Sequence, residues 1–181
     1  MRFIGLFAVL FAFSSLAAEL EGVTMPDAVK AEGKDLKLNG QGLRKKFVFN
    51  VYVAGLYVEN PTHDGAEILA KDEVRRVDMS MLRDLDRKAI VEAIAAGFEK
   101  NSGEKFPALK ERMEKFAAVI PDIKKGQLLT IIYAPGKGTR VEGQKESFTA
   151  EGKDFADALF SVWVGKFPVD ENLKKGMLGA K

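Results

Sequence analysis

Four polar side chains with chemical potential stand close together in the stretch GLRKKFVFNVYVAGLYVEN, residues 42–60: Arg44, Asn50, Tyr52 and Tyr57. A guanidinium fork matches a carboxylate or phenolate, and an amide and phenols can donate hydrogen bonds to the same ligand. The last three interrupt the run Phe47–Val58, which begins beside Arg44, is otherwise apolar, β-branched or aromatic and reads as a strand. Alternation along a strand puts Phe47, Phe49, Val51 and Val53 on one face, read as core. Val48, Asn50, Tyr52, Ala54 and Leu56 fall on the other, and without a bulge Arg44 shares their side. An unpaired buried amide or hydroxyl costs about 1–3 kcal/mol, and a guanidinium beside an apolar cleft needs an anion. Three arrangements satisfy this. Arg44 pairs with an acid of its own chain and its neighbours are satisfied core groups; or it receives a ligand carboxylate or phenolate; or it is solvated at the strand end.

Other chemistries find little support. The chain has no cysteine, which removes thiol catalysis and thiolate metal sites, and a single histidine, His63, which does not make a zinc centre. His63 falls in the turn Pro61-Thr62-His63-Asp64-Gly65 and reads as a solvated loop residue. No Gly-x-Ser-x-Gly elbow accompanies it, and Gly136-Lys137-Gly138-Thr139 lacks the spacing of a phosphate loop. Nothing calls for a metal or cofactor.

The elements that must position the candidate residues follow from hydrophobic period. Leu36-Lys37-Leu38 alternates and Asn39-Gly40 reads as a hairpin turn, so two short strands are expected before Arg44. After Phe47–Val58 the pattern predicts a short helix over Ala66–Lys71 and a strand over Val74–Met81. Helices follow over Asp86–Lys100, with Asp86 as N-cap, and Phe106–Val119. Gln127–Ala134 is a dense strand. Thr139–Glu142 and Ser147–Ala150 read as a hairpin turning at Gly143-Gln144, with Lys137, Arg140, Lys145 and Lys153 as solvated charges. Lys153–Val164 is an apolar helix, in which Trp163 reads as core, and Val169–Leu178 a more polar one. Strands, helices, strands, helices is an α+β order: an antiparallel sheet with helices stacked mainly on one face.

The opening residues do not belong to that fold. Arg2, an apolar run over Phe3–Phe13 and the small residues Ser14-Ser15-Leu16-Ala17-Ala18 form a secretory signal peptide pattern. Its apolar run is short of the roughly 20 residues a bilayer span needs. Residues 1–17 are therefore expected to be cleaved, leaving one domain over 18–181, exported to a bacterial periplasm. The formal charge of +2 falls to +1 with the loss of Arg2. That balance argues against nucleic acid and against strong attraction to anionic membranes, and no later stretch is apolar enough for membrane insertion. At 46% hydrophobic and 30% charged residues the chain reads as globular rather than disordered.

Gly42-Leu43-Arg44, Phe47 through Tyr52, and Gly55-Leu56-Tyr57 together resemble the chalcone isomerase superfamily. So do Pro135–Thr139, Gly152-Lys153-Asp154-Phe155-Ala156 and Leu159–Gly165 with Pro168, Leu173-Lys174 and Leu178-Gly179. The match looks like the superfamily's bacterial exported branch. The resemblance implies an open-faced β-sandwich, with a large antiparallel sheet and helices layered on one side. It also implies one of three activities: closing a chalcone to a flavanone as an intramolecular lyase, binding fatty acids, or assisting partner enzymes without catalysis.

The enzymes of that family use an Arg, a strand Thr, a helix Tyr and Asn, and a late Ser or Thr. Here Arg44 matches the Arg, Tyr52 stands at the Thr position and Val162 at the late hydroxyl. The helix over Asp86–Lys100 has neither Tyr nor Asn; Asn101 lies too late, and Tyr133 is a weak alternative donor. The arginine is kept and most of the hydrogen-bonding shell is lost, and such preorganised donors are usually the largest catalytic term. The expectation is therefore a monomeric, non-catalytic protein that binds a small amphipathic carboxylate such as a fatty acid, or else a phenolic ligand, through Arg44, Tyr52 and Asn50. The alternatives are a residual intramolecular lyase and a partner-binding module without a ligand.

Overall fold

The β-branched and aromatic runs form a six-stranded antiparallel sheet in the computed structural model, which describes residues 19–143 and 148–179. Its strands neighbour one another in chain order: β3 (Ala28–Ala31), β4 (Lys34–Lys46), β5 (Phe49–Val58), β6 (Arg75–Met81), β7 (Leu128–Ala134) and β8 (Gly138–Val141). A separate small hairpin precedes them, β1 (Glu19–Leu20) with β2 (Val23–Thr24). Helix α1 (Gly65–Ala70) joins β5 to β6. Helices α2 (Arg87–Ser102) and α3 (Phe106–Ala118) join β6 to β7, and α4 (Lys153–Val164) and α5 (Glu171–Met177) follow β8.

Period-2 alternation decides what the sheet buries. Ala54, Leu56 and Val58 of β5, Val77, Met79 and Met81 of β6, and Leu129, Ile131 and Tyr133 of β7 form one core with Phe98, Phe116, Leu159 and Phe160 of the helices. The helices thus lie on one face, as the open-faced sandwich requires. Helix α4 is apolar almost all round, the mark of a buried helix, and nine of its residues are buried. Phe155 at its start meets Phe98 of α2 at 5.2 Å and Phe116 of α3 at 5.6 Å between ring centroids. The reverse face holds a smaller cluster of Ala31, Leu36, Tyr57, Val74, Ile132 and Ala134. Beside it the Arg76 fork grips Asp78 at 2.7 and 2.8 Å, and Thr130 donates to the same carboxylate at 2.7 Å.

Several expectations are corrected. Asn39-Gly40 is no turn; it lies inside β4 at a register shift. The Asn39 amide donates to the Met177 carbonyl at 2.9 Å and its oxygen accepts from the Thr62 N–H at 2.7 Å. A Cβ on Gly40 would sit 2.3 Å from the Gly176 carbonyl oxygen. Both residues are there to seat α5 on the sheet. The turns fall instead at Glu32-Gly33 and at Phe47-Val48, so β5 begins at Phe49. Phe47 and Phe49 are therefore exposed and not core. Of the charges read as solvated, Lys137 is exposed as expected and also meets Glu32 at 2.7 Å, whereas Arg140 and Lys153 are half-buried, paired with Glu32 at 2.6 Å and Asp157 at 2.5 Å. Lys145, the Gln144 turn and residues 1–18 lie outside the described residues, while Ala150 forms a lone bridge to Thr139. His63 is exposed, but its Nδ1 bonds the Leu178 carbonyl at 2.5 Å and ties down the end of the chain.

Candidate functional site

A register shift between Arg44 and Lys45 shapes the site. Arg44 pairs with Tyr52 and Lys45 with Asn50, so Val51 is an extra residue on β5. Such a bulge reverses the alternation on one side of it. Phe49, Val51 and Tyr52 consequently all border one cavity of about 320 Å³, between the ends of β4, β5 and β6 and helices α2 and α4. Asn50 is turned away from it: its amide donates 2.8 Å to Glu21, between β1 and β2. The expectation that Asn50 shares the side of Tyr52 fails because of that bulge.

The wall is mostly apolar, with Met79 and Met81 from the sheet, Ile90 and Ile94 from α2, and Val162 and Trp163 from α4. A volume of this size lies near the lower end of the roughly 300–1,000 Å³ typical of small-molecule sites. Helix α2 presents its Ile90–Ile94 stripe because Asp86 caps it, accepting from the Ala89 N–H at 2.7 Å. Trp163, read as core, is buried and also forms part of the wall.

Lys46, Arg83, Asp84 and Asp86 line the cavity as exposed charges, and two half-buried polar groups, Arg44 and Tyr52, converge on the apolar space. Trp163 donates its indole N–H to the Tyr52 hydroxyl at 3.3 Å. That occupies an acceptor site, and the phenol's own proton has no acceptor among the described residues. Arg44 lies opposite, paired with Asp170 at 3.2 Å through Nη1, which also donates to the Lys45 carbonyl. An arginine has five N–H donors, and here those on Nε and Nη2 keep no protein partner among the described residues. The first of the three arrangements for Arg44, a partner acid in the same chain, is thus present, but the cavity beside it is open rather than filled.

Asp170 was missed as a site residue in the sequence, although an Asp just before a helix is the usual N-cap signal. Its Oδ1 accepts from the N–H groups of Asn172 and Leu173 at 2.9 and 3.0 Å, and Oδ2 from the N–H of Lys45 at 3.2 Å. Burial alone would raise its pKa, but the N–H groups of Leu173, Lys45 and Asn172 and the Arg44 charge outweigh it and hold the carboxyl below its usual range. This contribution to stability is present above the ordinary carboxylate pKa and is lost as pH falls through the lowered one. Gly42 permits the approach of α5, because a Cβ there would meet the Leu173 carbonyl oxygen at 2.5 Å.

Other candidates lie elsewhere. Tyr133 donates its hydroxyl to Asp72 at 2.5 Å, and its ring packs under the Arg75 guanidinium at 5.0 Å. Asn101 clamps the α4–α5 connection, donating to the Gly97 and Phe167 carbonyls and accepting from the Phe167 N–H. Neither borders the cavity.

The chain's three tyrosines all hold their protons tightly. Burial pushes Tyr52 up to about 12; burial and the nearby Asp78 do the same for Tyr57. Burial and the hydrogen bond to Asp72 raise Tyr133 as well. The unfolded chain ionises phenols near pH 10, so it releases protons where the folded chain still holds them. Stability should therefore fall as pH rises from about 10 towards 12. A spectrophotometric titration is expected to show phenolate absorbance only together with loss of tertiary circular dichroism. A phenol ionising near pH 10 in the folded protein would contradict these assignments.

A family model described as chalcone isomerase-like matches residues 17–179. The chain belongs to the chalcone isomerase-like family. The fold agrees with a solved relative: the crystal structure of a fatty-acid binding protein from Arabidopsis thaliana superposes with a TM-score of 0.63 at 18% identity, covering 87% of this chain and 92% of that one. No curated protein sequence matches the chain significantly. Among this family member's described residues, no helix is long and apolar enough to cross a membrane and no cluster of three or more His, Cys, Asp or Glu side chains is placed to hold a metal ion.

Proposed function

We propose that this chalcone isomerase-like chain is a non-catalytic binding protein for a small amphipathic carboxylate such as a fatty acid. It would act as an exported, periplasmic monomer of the family's bacterial branch, after removal of residues 1–17. The observation that carries the reading is the apolar cavity with Arg44 and the Tyr52 hydroxyl facing each other across the paired strands β4 and β5. A carboxylate there would accept hydrogen bonds from the unpartnered N–H groups of Arg44 and from the Tyr52 hydroxyl, and the alkyl tail would lie among Met79, Met81, Ile90 and Ile94. Tyr52 keeps its proton well above neutral pH, so it donates under any physiological condition. Lyase chemistry has weaker support. Tyr52 is the sole hydroxyl among the described cavity-lining residues, and Val162 occupies the late hydroxyl position of the enzymes.

Isothermal titration of the protein with laurate tests the reading, with dodecanol as a neutral comparison of equal chain length. Saturable, one-to-one binding of laurate in preference to dodecanol is expected; no binding of either, or equal binding, would overturn it. Native mass spectrometry of protein purified from its own host should show a co-purifying acyl ligand.

Asp170 competes with the ligand for Arg44. Asp170→Asn keeps an oxygen for capping α5, since Asn caps nearly as well as Asp, but removes the competing charge. Laurate affinity should then rise severalfold while the melting temperature falls by a few degrees. An unchanged or lower affinity would show that Arg44 does not receive the carboxylate.

A further inference from the structure

The β4–β5 hairpin turns in two residues, Phe47 and Val48, between the paired Lys46 and Phe49. Such tight turns ordinarily use Asn, Asp or Gly, because they require positive φ. Here Phe47 adopts φ +55°. Exposure makes the choice odder still: Phe47 is 90% exposed, Val48 86% and Phe49 54%. A turn that favours small polar residues presents three consecutive large apolar ones to the surroundings, and Phe47 and Phe49 also border the mouth of the cavity.

Three cations flank this tip. Lys45 and Lys46 are exposed, and Arg83 lies with its guanidinium 4.9 Å from the centre of the Phe49 ring. None of the three forms an ion pair among the described residues. The nearby carboxylates are engaged: Asp84 by the Lys124 ammonium at 3.1 Å and the Lys125 N–H at 2.9 Å, Asp86 by the Ala89 N–H, and Asp170 by Arg44. Glu21 holds Asn50. The near-neutral total charge conceals three cations without an ion pair among the described residues, grouped beside an apolar point.

We propose that this tip docks the mouth of the cavity onto an anionic bilayer. The wedge Phe47-Val48-Phe49 would enter the boundary between headgroups and acyl chains, while Lys45, Lys46 and Arg83 meet lipid phosphates. A bilayer fits better than a folded partner because the apolar residues form an exposed turn tip flanked by Lys45, Lys46 and Arg83, not a flat face or a groove. This is peripheral docking, with no segment spanning the membrane. Docking rests on the tip alone; that it delivers cargo between the bilayer and the cavity rests on the ligand-binding reading above.

The test is flotation of the mature protein with vesicles of mixed phosphatidylcholine and phosphatidylglycerol, and with vesicles of phosphatidylcholine alone. The variants are Val48→Asp and Lys45→Glu, since neither residue borders the cavity. Wild type is expected to partition onto the anionic vesicles in preference to the neutral ones. Val48→Asp should lower partitioning about tenfold with melting temperature and laurate affinity in solution unchanged, and Lys45→Glu should reduce the preference for anionic lipid. Failure to bind vesicles, or equal binding by wild type and both variants, would overturn the proposal. So would a concentration-dependent dimer, seen by sedimentation, that Val48→Asp dissociates, because the tip would then be a self-association face. If vesicles are bound as described but laurate is not, docking stands and the cargo role fails.

Discussion

Arg44→Ala is expected to weaken laurate binding about 10- to 100-fold. A hydrogen bond to a charged group contributes roughly 1.5–3 kcal/mol, and about 1.4 kcal/mol is a factor of ten in affinity. The loss should be selective. Dodecanol has no charge for Arg44 to meet, so its affinity should hardly change and the preference for the acid should disappear. The fold should tolerate the change, because Asp170 keeps its N–H donors from Lys45, Asn172 and Leu173 and Arg44 stands at the rim of the core. Parallel titrations of wild type and variant with both ligands read this out. Equal losses for acid and alcohol would mean that Arg44 shapes the cavity without recognising the carboxylate.

The largest effect on stability is expected at Phe155. Its ring is fully buried where α2, α3 and α4 meet, and Arg112 of α3 lies over it at 5.9 Å. Truncation to alanine removes that burial and leaves a void that three helices must collapse to fill. Phe→Ala in a core costs about 3–5 kcal/mol, a large part of the roughly 5–15 kcal/mol that holds a domain folded. At about 2–4 °C per kcal/mol for a chain of this length, the melting temperature should drop by about 6–20 °C. The same helices carry Ile90, Ile94, Val162 and Trp163 to the cavity. Emission of Trp163, the chain's sole tryptophan, should therefore shift to the red in the native baseline if the helical wall loosens. A change of less than about 1 kcal/mol in urea denaturation would contradict the placement of Phe155 at this junction.

What could be read from the sequence depended on how local its cause was. The helix over Lys153–Val164 was predicted to the residue, because an apolar run bounded by Gly152 and Gly165 leaves little choice. Asp86 was legible as a cap for the same reason, since the accepting side chain and the donating Ala89 N–H belong to one turn. The sheet with helices on one face followed from the order of elements and was implied again by the family resemblance. Non-local causes escaped. Asn39-Gly40 has the composition of a turn, yet its constraint comes from α5, far away in sequence, where the Met177 and Gly176 carbonyls demand an amide donor and a bare backbone. The bulge at Val51 has no signature of its own, and without it strict alternation put Asn50 beside Tyr52 and Phe49 in the core. Arg44 and Tyr52 could be singled out because a cation and a phenol are conspicuous in an apolar strand; Asp170 could not, because an acid before a polar helix is ordinary. Its role appears only when the chain closes and brings it to Arg44.

The central claim is that the cavity holds a carboxylate at Arg44 and Tyr52. A crystal structure of the protein grown with laurate tests it most directly. The account predicts one laurate in the cavity, its carboxylate within hydrogen-bonding distance of the Arg44 guanidinium and the Tyr52 hydroxyl and its tail against Met79, Met81, Ile90 and Ile94. An empty cavity at saturating laurate, or a laurate bound with its carboxylate away from Arg44, would contradict it.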